Sequence, residues 1–428
     1  MGTRRRVGLL MAGVVLFSLI VPTSVASAAK PKNSDPQEGV TPTSITVGGV
    51  EVASGEGGFT EAGQAIGAKA YFNQVNAAGG VFGRKINFIG AQDDGYSATS
   101  DVSIVQNLVE QKHVFAVVPV ATNNFTGGSY LVQNNVPFIG SGNGTPYCGT
   151  QSGFGFLGCA VPNLAPGSPV TPAIGKTIEA VLKQRGELTK GVKPSIAMTF
   201  NSSGSGPAAA PPLVAEMKAA GFKVSAAMTT IPAQGTADYS PYAQQIMTSN
   251  NGKPPSSVFL VNAGTVIVGL KEALVAAGYK GPVFDATTYS PQTTQNPQLV
   301  QALQGEYSIL QVQPAEANFP AVKQMLKAMR NVAGASYVPD IYAEEGYESA
   351  AMLVDMLKAT GPNLTRGTML TKVNSGFNFE IPNLFGEIPW PESHAQPVGC
   401  DAAVQLKGKQ WKVVQDLECY ANIPIPPA

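Results

Sequence analysis

Apolar and polar positions change their spacing repeatedly along the chain. The run Ile45–Val52 is almost wholly apolar, which is typical of a buried strand. After it, Ala65, Ala68, Phe72 and Val75 follow one another at spacings of 3, 4 and 3 residues. This spacing places one apolar stripe on a helix. The pattern therefore predicts a strand followed by an amphipathic helix.

Residues that favour helix ends mark the limits of this helix. Thr60 has the side chain of an N-cap, and Gly79 can take the left-handed conformation that ends a helix. The triplet Ala-Ala-Gly occurs at 77–79, 219–221 and 276–278, each time ahead of another strand-like run. Three helices are therefore predicted to end in the same way.

The alternation continues in two series. The first has strands at 85–90, 114–118 and 136–140 and a helix at 100–112. The second has strands at 195–200, 222–227, 257–262 and 282–286, with helices near 207–220, 239–250 and 265–277. Strands that alternate with helices form parallel sheets covered on both faces. The fold class predicted is α/β, with two doubly wound lobes and a crossover through the Gly-, Pro- and Cys-rich segment 146–172.

Length and charge limit the possible functions. The chain of 428 residues is longer than one hydrophobic core usually serves, so two lobes are expected. Lys plus Arg equals Asp plus Glu at 28 each, and no basic stripe interrupts this balance. Nucleic acid is therefore not expected as a partner.

The N-terminus has the pattern of a signal peptide. Three arginines, Arg4 to Arg6, precede the apolar stretch Val7–Val21, and Ala26-Ser27-Ala28 offers a cleavage site. Residues 1–28 are predicted to be removed on export, by the general or the twin-arginine route, and 29–43 to form a flexible tether. No cysteine follows the signal closely enough to carry a lipid anchor, so the mature protein is expected in a periplasm or outside the cell.

The four cysteines, Cys148, Cys159, Cys400 and Cys419, suit an oxidising compartment. Three pairings are possible, and Cys148–Cys159 with Cys400–Cys419 is favoured because each closes a short loop. A metal site is the alternative. It is disfavoured because the chain has no CxxC and its two histidines, His113 and His394, lie at no ligand spacing from a cysteine. No metal or cofactor is expected.

Longer motifs resemble a known family. ITVGGVEVASG, QVNAAGGVFGRKINFIGAQDDG, VFAVVPVATNN and NVPFIGSGNGTP resemble the first lobe of type I periplasmic solute-binding proteins, in the leucine/isoleucine/valine-binding branch that feeds ABC importers. IAMTFNSSGSG, VFLVNAG, VFDATTY and IYAEEGYESAAMLVDML continue the resemblance.

The resemblance implies two lobes joined by three crossovers, which close on a ligand. Lobe 1 would comprise 44–157 and 314–398, and lobe 2 would comprise 158–313 and 399–428. It also implies a membrane permease as partner. In this reading Gly83 makes a turn, and the paired Asp93 and Asp94 are loop or capping groups that end a strand.

Ligand contacts implied by the family lie in loops after strands. In lobe 1 they match Ser54, Gly55, Thr122, Asn123, Asn124, Ser141, Gly142, Asn143 and Thr145. In lobe 2 they match Ser205, Asn262, Ala263, Thr287 and Tyr289. These loops offer hydroxyls, carboxamides and backbone amides, which are also common in ordinary turns. Tyr289 could line the ligand or simply pack.

Lobe 2 departs from the amino-acid-binding members. Those members have aromatic residues near Ser205 and Ala263 and a carboxylate near Thr287 for the ligand ammonium. Asp285, two residues away, or Glu56 could substitute for that acid. Because a buried ammonium without an anion is costly, the ligand is predicted to lack an α-amino group. A carboxylate, an aromatic acid or an amide is expected.

Other functions fit less well. A hydrolase is disfavoured because there is no Gly-x-Ser-x-Gly, and because the neighbours in Glu344-Glu345 and Asp93-Asp94 point different ways. The segment 54–58 lacks the spacing of a phosphate loop. An extracellular ligand sensor or adaptor on the same fold is the alternative to a transport protein.

Overall fold

The computed structural model describes residues 33–54, 60–122, 125–162, 164–204 and 206–425. The predicted signal peptide and the predicted ligand contacts Gly55, Asn123, Asn124 and Ser205 lie outside these residues. Within the described part of the chain, no helix is both long and apolar enough to cross a bilayer.

The first sheet is built from the N-terminal part of the chain. Its elements are β1 Ser44–Glu51, α1 Gly63–Ala77, β2 Lys85–Asp93, α2 Ala98–Glu110, β3 Ala116–Ala121, α3 Gly128–Gln133, β4 Phe138–Gly140 and β5 Gly153–Gly155. The strands pair in parallel in the order β2-β1-β3-β4-β5. Every residue of the central strand β3 is buried. Val117 packs into a cluster on one face and Val118 into a cluster on the other, as expected of a strand covered on both sides.

The second lobe, which contains the second sheet, follows in the chain. Its elements are β6 Pro169–Val170, α4 Ala173–Gln184, β7 Ser195–Asn201, α5 Gly206–Ala219, β8 Lys223–Ile231, α6 Ser240–Thr248, β9 Ser257–Val261, α7 Gly264–Ala276, β10 Val283–Asp285, α8 Pro291–Gln295, α9 Pro297–Ala302 and β11 Tyr307–Leu310. Strands β8, β7, β9, β10 and β11 are parallel neighbours. Val258 and Phe259 again divide between two clusters on opposite faces.

The C-terminal part of the chain contributes elements to both lobes. It comprises α10 Pro320–Ala333, α11 Ile341–Thr360, α12 Arg366–Asn374, β12 Phe377–Ile381, β13 Phe385–Trp390, β14 Cys400–Lys407, β15 Gln410–Cys419 and β16 Ile423–Pro424. The three helices and the β12–β13 hairpin join the core of the first lobe. Strands β14 and β15 return antiparallel to the edge of the second sheet, an addition that the sequence pattern did not predict. The chain thus forms two doubly wound lobes and passes between them three times.

Most predicted elements are confirmed, and one cap is wrong. The helix predicted from the stripe at 65–75 is α1, but it begins at Gly63 and its N-cap is Ala62, which makes no side-chain cap bond. Thr60 therefore does not cap it. Gly79 does lie just past its end, with φ of 107°. Gly83, predicted to turn the chain, has φ of 80°.

Residues 33–43 fall within the segment predicted as a tether. In the structure they form a short 3₁₀ helix at Pro36–Glu38 and a bridge between Asp35 and Val40. Val40 is fully buried in the core of the first lobe. The buried guanidinium of Arg84 donates to the backbone oxygens of Asn33 and Thr41. This part of the chain is therefore docked on the first lobe.

The favoured disulfides are confirmed, as Cys148–Cys159 and Cys400–Cys419. The second joins facing positions of β14 and β15. The two cysteines of this second disulfide are 19 positions apart in the sequence.

Removing Cys400–Cys419 by a double Ser substitution is expected to lower the free energy of unfolding by about 2–3 kcal/mol. The physical reason is that the unfolded chain regains the freedom that the crosslink denied it. Urea unfolding of the oxidised protein and of the variant measures the difference. Reduction of the wild type opens Cys148–Cys159 as well and should therefore cost at least as much, and an unchanged midpoint in the double variant would contradict the expectation.

Candidate functional site

The carboxyl ends of the two sheets face each other, and Tyr96 lies between them. Tyr96 follows β2 of the first lobe, and Gly204 follows β7 of the second. A methyl group placed on Gly204 would lie 2.6 Å from the Tyr96 hydroxyl. The loops after strands of the two lobes therefore meet at this point. In doubly wound sheets, ligands bind outside the carboxyl ends of the strands.

Tyr342 and Glu61 lie in the same region, also between the lobes. Tyr342 starts α11 and packs against the core of the second lobe. Burial raises the pKa of its hydroxyl well above the ordinary value, and negative charges on Glu61 and Asp285 raise it further. Glu61 precedes α1 of the first lobe, and Asp285 ends β10 of the second. Tyr342 is therefore within electrostatic reach of both lobes.

The predicted contacts of the first lobe lie at strand ends. Ser54 donates through its hydroxyl to Asp93 Oδ2, and its backbone N–H donates to Asp93 Oδ1 at 3.1 Å. Thr122 follows β3, is buried and hydrogen-bonds Asp94. Both aspartates thus tie neighbouring loops together, in agreement with the loop and capping role predicted for them.

The loop after β4 contains four further predicted residues, Ser141, Gly142, Asn143 and Thr145. The Ser141 hydroxyl accepts from the backbone N–H of Asn143 at 3.2 Å. Gly142 has φ of 95°, and its Cα faces the backbone of Gly155 and Gly158 so closely that a side chain would meet Gly158 O at 2.3 Å. Glycine is therefore required at 142 for the path of the loop.

The predicted contacts of the second lobe are connected to one another. The Asn262 side-chain amide lies 2.5 Å from Thr199 Oγ1, and its backbone oxygen accepts from Thr287 Oγ1 at 3.3 Å. Ala263 is the N-cap of α7. Asp285 is fully buried and accepts from the backbone N–H groups of Thr287 and Thr288, each at 2.6 Å. Its carboxylate is thus held by its own loop.

Tyr289 is occupied by internal contacts. It is 2% exposed, its hydroxyl donates to Glu316 Oε2 at 2.7 Å, and the same oxygen accepts from the Ala315 N–H at 3.1 Å. Its ring lies 5.7 Å from that of Trp411. These contacts match the packing interpretation of Tyr289.

Sequence reasoning missed Glu61, Tyr96 and Tyr342. Tyr96 stands just after the Asp93-Asp94 pair, so its position beyond a strand could have indicated it. Glu61 and Tyr342 carry no such signal. They come together because α1 and α11 pack closely, with Gly67 of α1 against the backbone of Ala343.

Carboxyl groups dominate the first-lobe side of the cleft. Glu61, Asp340 and Glu345 lie where the N-terminal turns of α1 and α11 meet. Burial raises the pKa of Glu61 to about 8, and the charges of Asp94, Glu51 and Asp340 add to the effect. Burial likewise raises the pKa of Glu345 well above its ordinary value. The negative charges of Glu61, Glu348 and Asp340 raise it further. These groups therefore hold protons more tightly than carboxyls in water.

The protein is expected to lose stability between pH 6.5 and pH 9. Acids whose pKa is raised on folding, such as Glu61 at about 8, stabilise the fold below their unfolded pKa, and this contribution is lost as pH rises through the folded pKa. His394, whose pKa burial lowers from 6.5 to about 4, has the opposite slope, which fades above pH 6.5 as the unfolded imidazole loses its proton. Urea midpoints across the window measure the trend. A midpoint that rises with pH would contradict it.

A profile of the periplasmic binding protein family matches residues 44–410, which is most of the chain. The chain belongs to the periplasmic binding protein family. No curated protein matches it. This family assignment agrees with the two lobes and with the cleft between their strand ends.

Solved structures of binding proteins share the fold at low sequence identity. A fatty acid ABC transporter substrate-binding protein from Thermomonospora curvata is 17% identical with a TM-score of 0.65, over 91% of this chain and 96% of that one. A solute-binding protein from R. palustris in complex with benzoate is 15% identical with a TM-score of 0.65, over 89% and 99%. A leucine-, isoleucine-, valine-, threonine- and alanine-binding protein from Brucella ovis, in its closed conformation, is 15% identical with a TM-score of 0.69, over 89% and 95%.

Gly204→Ala is expected to hold the lobes of this periplasmic binding protein further apart. The new methyl would collide with the Tyr96 hydroxyl, so closure must stop earlier or Tyr96 must move. Small-angle scattering should show a larger radius of gyration. Gly191→Ala is the matched control because Gly191 also has a positive φ, of 78°, but faces open space. Adding Tyr96→Ala should restore the wild-type profile, and an unchanged profile in Gly204→Ala would contradict the expectation.

Proposed function

We propose that this protein is an exported solute-binding protein that captures a small organic molecule by lobe closure and delivers it to an ABC-type importer. The observation that carries the proposal is the polar cleft between the strand ends, where Tyr96, Tyr342 and Glu61 lie between the two lobes of a periplasmic binding protein. A ligand that touches both lobes only when they are closed shifts the population to the closed state. The function is binding and delivery rather than catalysis.

The predicted signal peptide supports export, and the relatives support the importer. The solved relatives include substrate-binding proteins of ABC transporters, with benzoate bound in one case. The permease would recognise the closed, loaded form.

The ligand proposed is not a standard α-amino acid. Position 287 is a threonine, and the nearby Asp285 is fully buried and bonded within its own loop, so lobe 2 presents neither as a free carboxylate for an ammonium. Among the classes expected from the sequence, the benzoate-binding relative supports an aromatic acid. The carboxyl groups in the cleft argue against a free carboxylate on the ligand, because among the described residues no basic side chain shifts the pKa of Glu61, Glu345 or Tyr342.

Thermal unfolding of residues 29–428 against a ligand panel tests the function. The panel contains amino acids, aromatic acids, dicarboxylates, amides, amines, sugars and steroids, and the protein is first stripped of carried-over ligand by unfolding and refolding. A ligand at about 100 times its dissociation constant should stabilise the protein by about 2.7 kcal/mol. That corresponds to a shift on the order of 5–10 °C for lobes of this size. A shift from one class supports the proposal, tight selective binding of leucine or valine would refute the ligand assignment, and no shift at all would refute the binding function.

A further inference from the structure

Two buried acceptor atoms on the first-lobe side of the cleft have no hydrogen-bond donor among the residues that the structure describes. Asp94 and Gln64 are each 2% exposed. Asp94 Oδ1 accepts from the Tyr96 N–H at 2.8 Å, and the Thr122 hydroxyl bonds the same carboxylate, while no described residue donates to Asp94 Oδ2. Gln64 Nε2 donates to Glu345 Oε2 at 3.0 Å, while Gln64 Oε1 has no partner. A buried polar atom without a partner costs about 1–3 kcal/mol, so this wall favours a molecule that brings donors.

Both residues adjoin Glu61. The Asp94 N–H donates to Glu51 O at 3.0 Å, and the Glu61 N–H donates to the O of the next residue, Val52, at 2.8 Å. The Gln64 backbone N–H donates to Glu61 O at 3.0 Å. Glu61 in turn acts on Glu345, Tyr96 and Tyr342. The acceptors, the carboxyls and the two tyrosines therefore form one cluster around Glu61.

Among the described residues, the side chains that act electrostatically on this cluster are acids. All the side-chain charges that shift the pKa values of Glu61 and Glu345 are carboxylates: Glu51, Asp94, Asp340 and Glu348, besides these two themselves. The charges that shift the pKa of Tyr342 belong to the same set, with Asp285 as the one addition. Lysine and arginine do not appear in it. A ligand carboxylate would find no opposite charge among these groups, whereas a cation would lie beside carboxyl groups that can ionise and pair with it.

An organic cation fits the arrangement better than a metal ion. No group of three or more His, Cys, Asp or Glu side chains within the described ranges is arranged to hold a metal. A planar or tetrahedral nitrogen group supplies several N–H donors to separated acceptors, and the faces of tyrosine rings attract such cations. The orphan acceptors Asp94 Oδ2 and Gln64 Oε1 could each take one of those donors.

We propose that Glu61, Asp94, Gln64 and Glu345, with Tyr96 and Tyr342, form a subsite for a positively charged nitrogen group of the ligand, an amidinium, guanidinium or ammonium without an α-carboxylate. This inference rests on the proposed binding function and names the ligand class of the same cleft. In the empty cleft Glu61, with its pKa raised to about 8, keeps a proton at neutral pH. A bound cation favours the ionised carboxylate, so binding releases the proton and tightens as pH rises towards 8.

The test uses three ligands that share one ring: benzamidine, benzamide and benzoate. Titration calorimetry of the stripped protein, in buffers of different ionisation enthalpy, measures affinity and proton release together. We expect benzamidine to bind at least about tenfold more tightly than benzamide, with benzoate weakest and proton release only for benzamidine; tenfold corresponds to about 1.4 kcal/mol. Benzamide equal to benzamidine, or the absence of proton release, would overturn the cationic subsite.

Variants locate the effect. Glu61→Gln and, separately, Glu345→Gln remove one carboxylate each from the cluster and should weaken benzamidine binding at least about tenfold while leaving benzamide within about twofold. Glu380→Gln is the matched control, because Glu380 is exposed on β12 and away from the cleft. Circular dichroism confirms folding of each variant. Benzamidine binding that survives both variants unchanged would overturn the proposal.

Failure of the inference and failure of the function can be told apart. If none of the three ring compounds binds, the hit from the wider panel replaces them. If the ligand found has no cationic nitrogen, the subsite is overturned and the binding function stands. The same holds if a cationic ligand binds Glu61→Gln as tightly as the wild type. If nothing in the panel binds, the binding function itself fails, and the subsite with it.

Discussion

Gly67→Ala is expected to destabilise the protein by about 3–4 kcal/mol, because α1 and α11 touch through their backbones at this position. A methyl group on Gly67 would lie 1.8 Å from Ala343 O and 2.7 Å from Tyr347 N. Both atoms belong to the backbone of α11, which is buried along nearly its whole length and cannot move aside locally. The helices would have to separate, and with them the core of the first lobe.

The matched control is Gly367→Ala in α12. A methyl group there would meet only Thr365 Oγ1, at 3.8 Å, so the substitution should be neutral or stabilising by roughly 0.5 kcal/mol. Urea unfolding gives both values with one protocol. Equal midpoints for the two variants would show that the close approach of α1 and α11 has no energetic weight. Because α11 carries Tyr342 and Glu345 into the cleft, Gly67→Ala should also weaken ligand binding.

The alternation of strands and helices could be predicted because local spacing determines it. Ile45–Val52 and Ser257–Asn262 read as strands, and the observed strands are Ser44–Glu51 and Ser257–Val261. The strands at the edge of the second sheet were harder to predict from the sequence. Strands β14 and β15 lie in a region where the repeating pattern has ended, and the antiparallel pairing of β14 depends on β11, nearly one hundred residues earlier.

Some residues of the candidate site could likewise be predicted from the sequence, and others could not. Residues just after strands, such as Ser54, Thr122 and Asn262, could be named from the sequence because the fold rule places ligands there. Whether each one touches a ligand stays a prediction. Glu61 and Tyr342 could not be named, since they meet only through the packing of α1 on α11. Nor does the sequence reveal that the Asp285 carboxylate is hydrogen-bonded within its own loop, where it accepts from the backbone N–H groups of Thr287 and Thr288.

Arg84→Met should cost about 3–5 kcal/mol, although it removes no ion pair. The Arg84 side chain is fully buried, and burial lowers the pKa of its guanidinium. Its Nε donates to Thr41 O at 2.8 Å and its Nη1 to Pro362 O at 2.9 Å. Its Nη2 donates to Asn33 O at 2.7 Å and to Asn33 Oδ1 at 2.9 Å. Methionine would fill much of the space but leave the three backbone oxygens without this donor, while Asn33 Oδ1 would keep the Leu364 N–H at 2.9 Å.

One guanidinium therefore joins three separate segments: the strand turn that carries Arg84, the N-terminal segment 33–43 and the loop before α12. Arg84→Lys should recover only part of the loss, because an ammonium cannot spread its donors over acceptors on different sides as a planar guanidinium does. The adjacent exposed Lys85 provides the control, and Lys85→Met should change stability by less than about 0.5 kcal/mol. Limited proteolysis gives a second readout, since loss of the Arg84 anchor should expose residues 33–43 to cleavage before the lobe unfolds. Equal urea midpoints for Arg84→Met and Lys85→Met, with equal cleavage rates, would mean that the N-terminal segment is held by Val40 and the strand pairing alone.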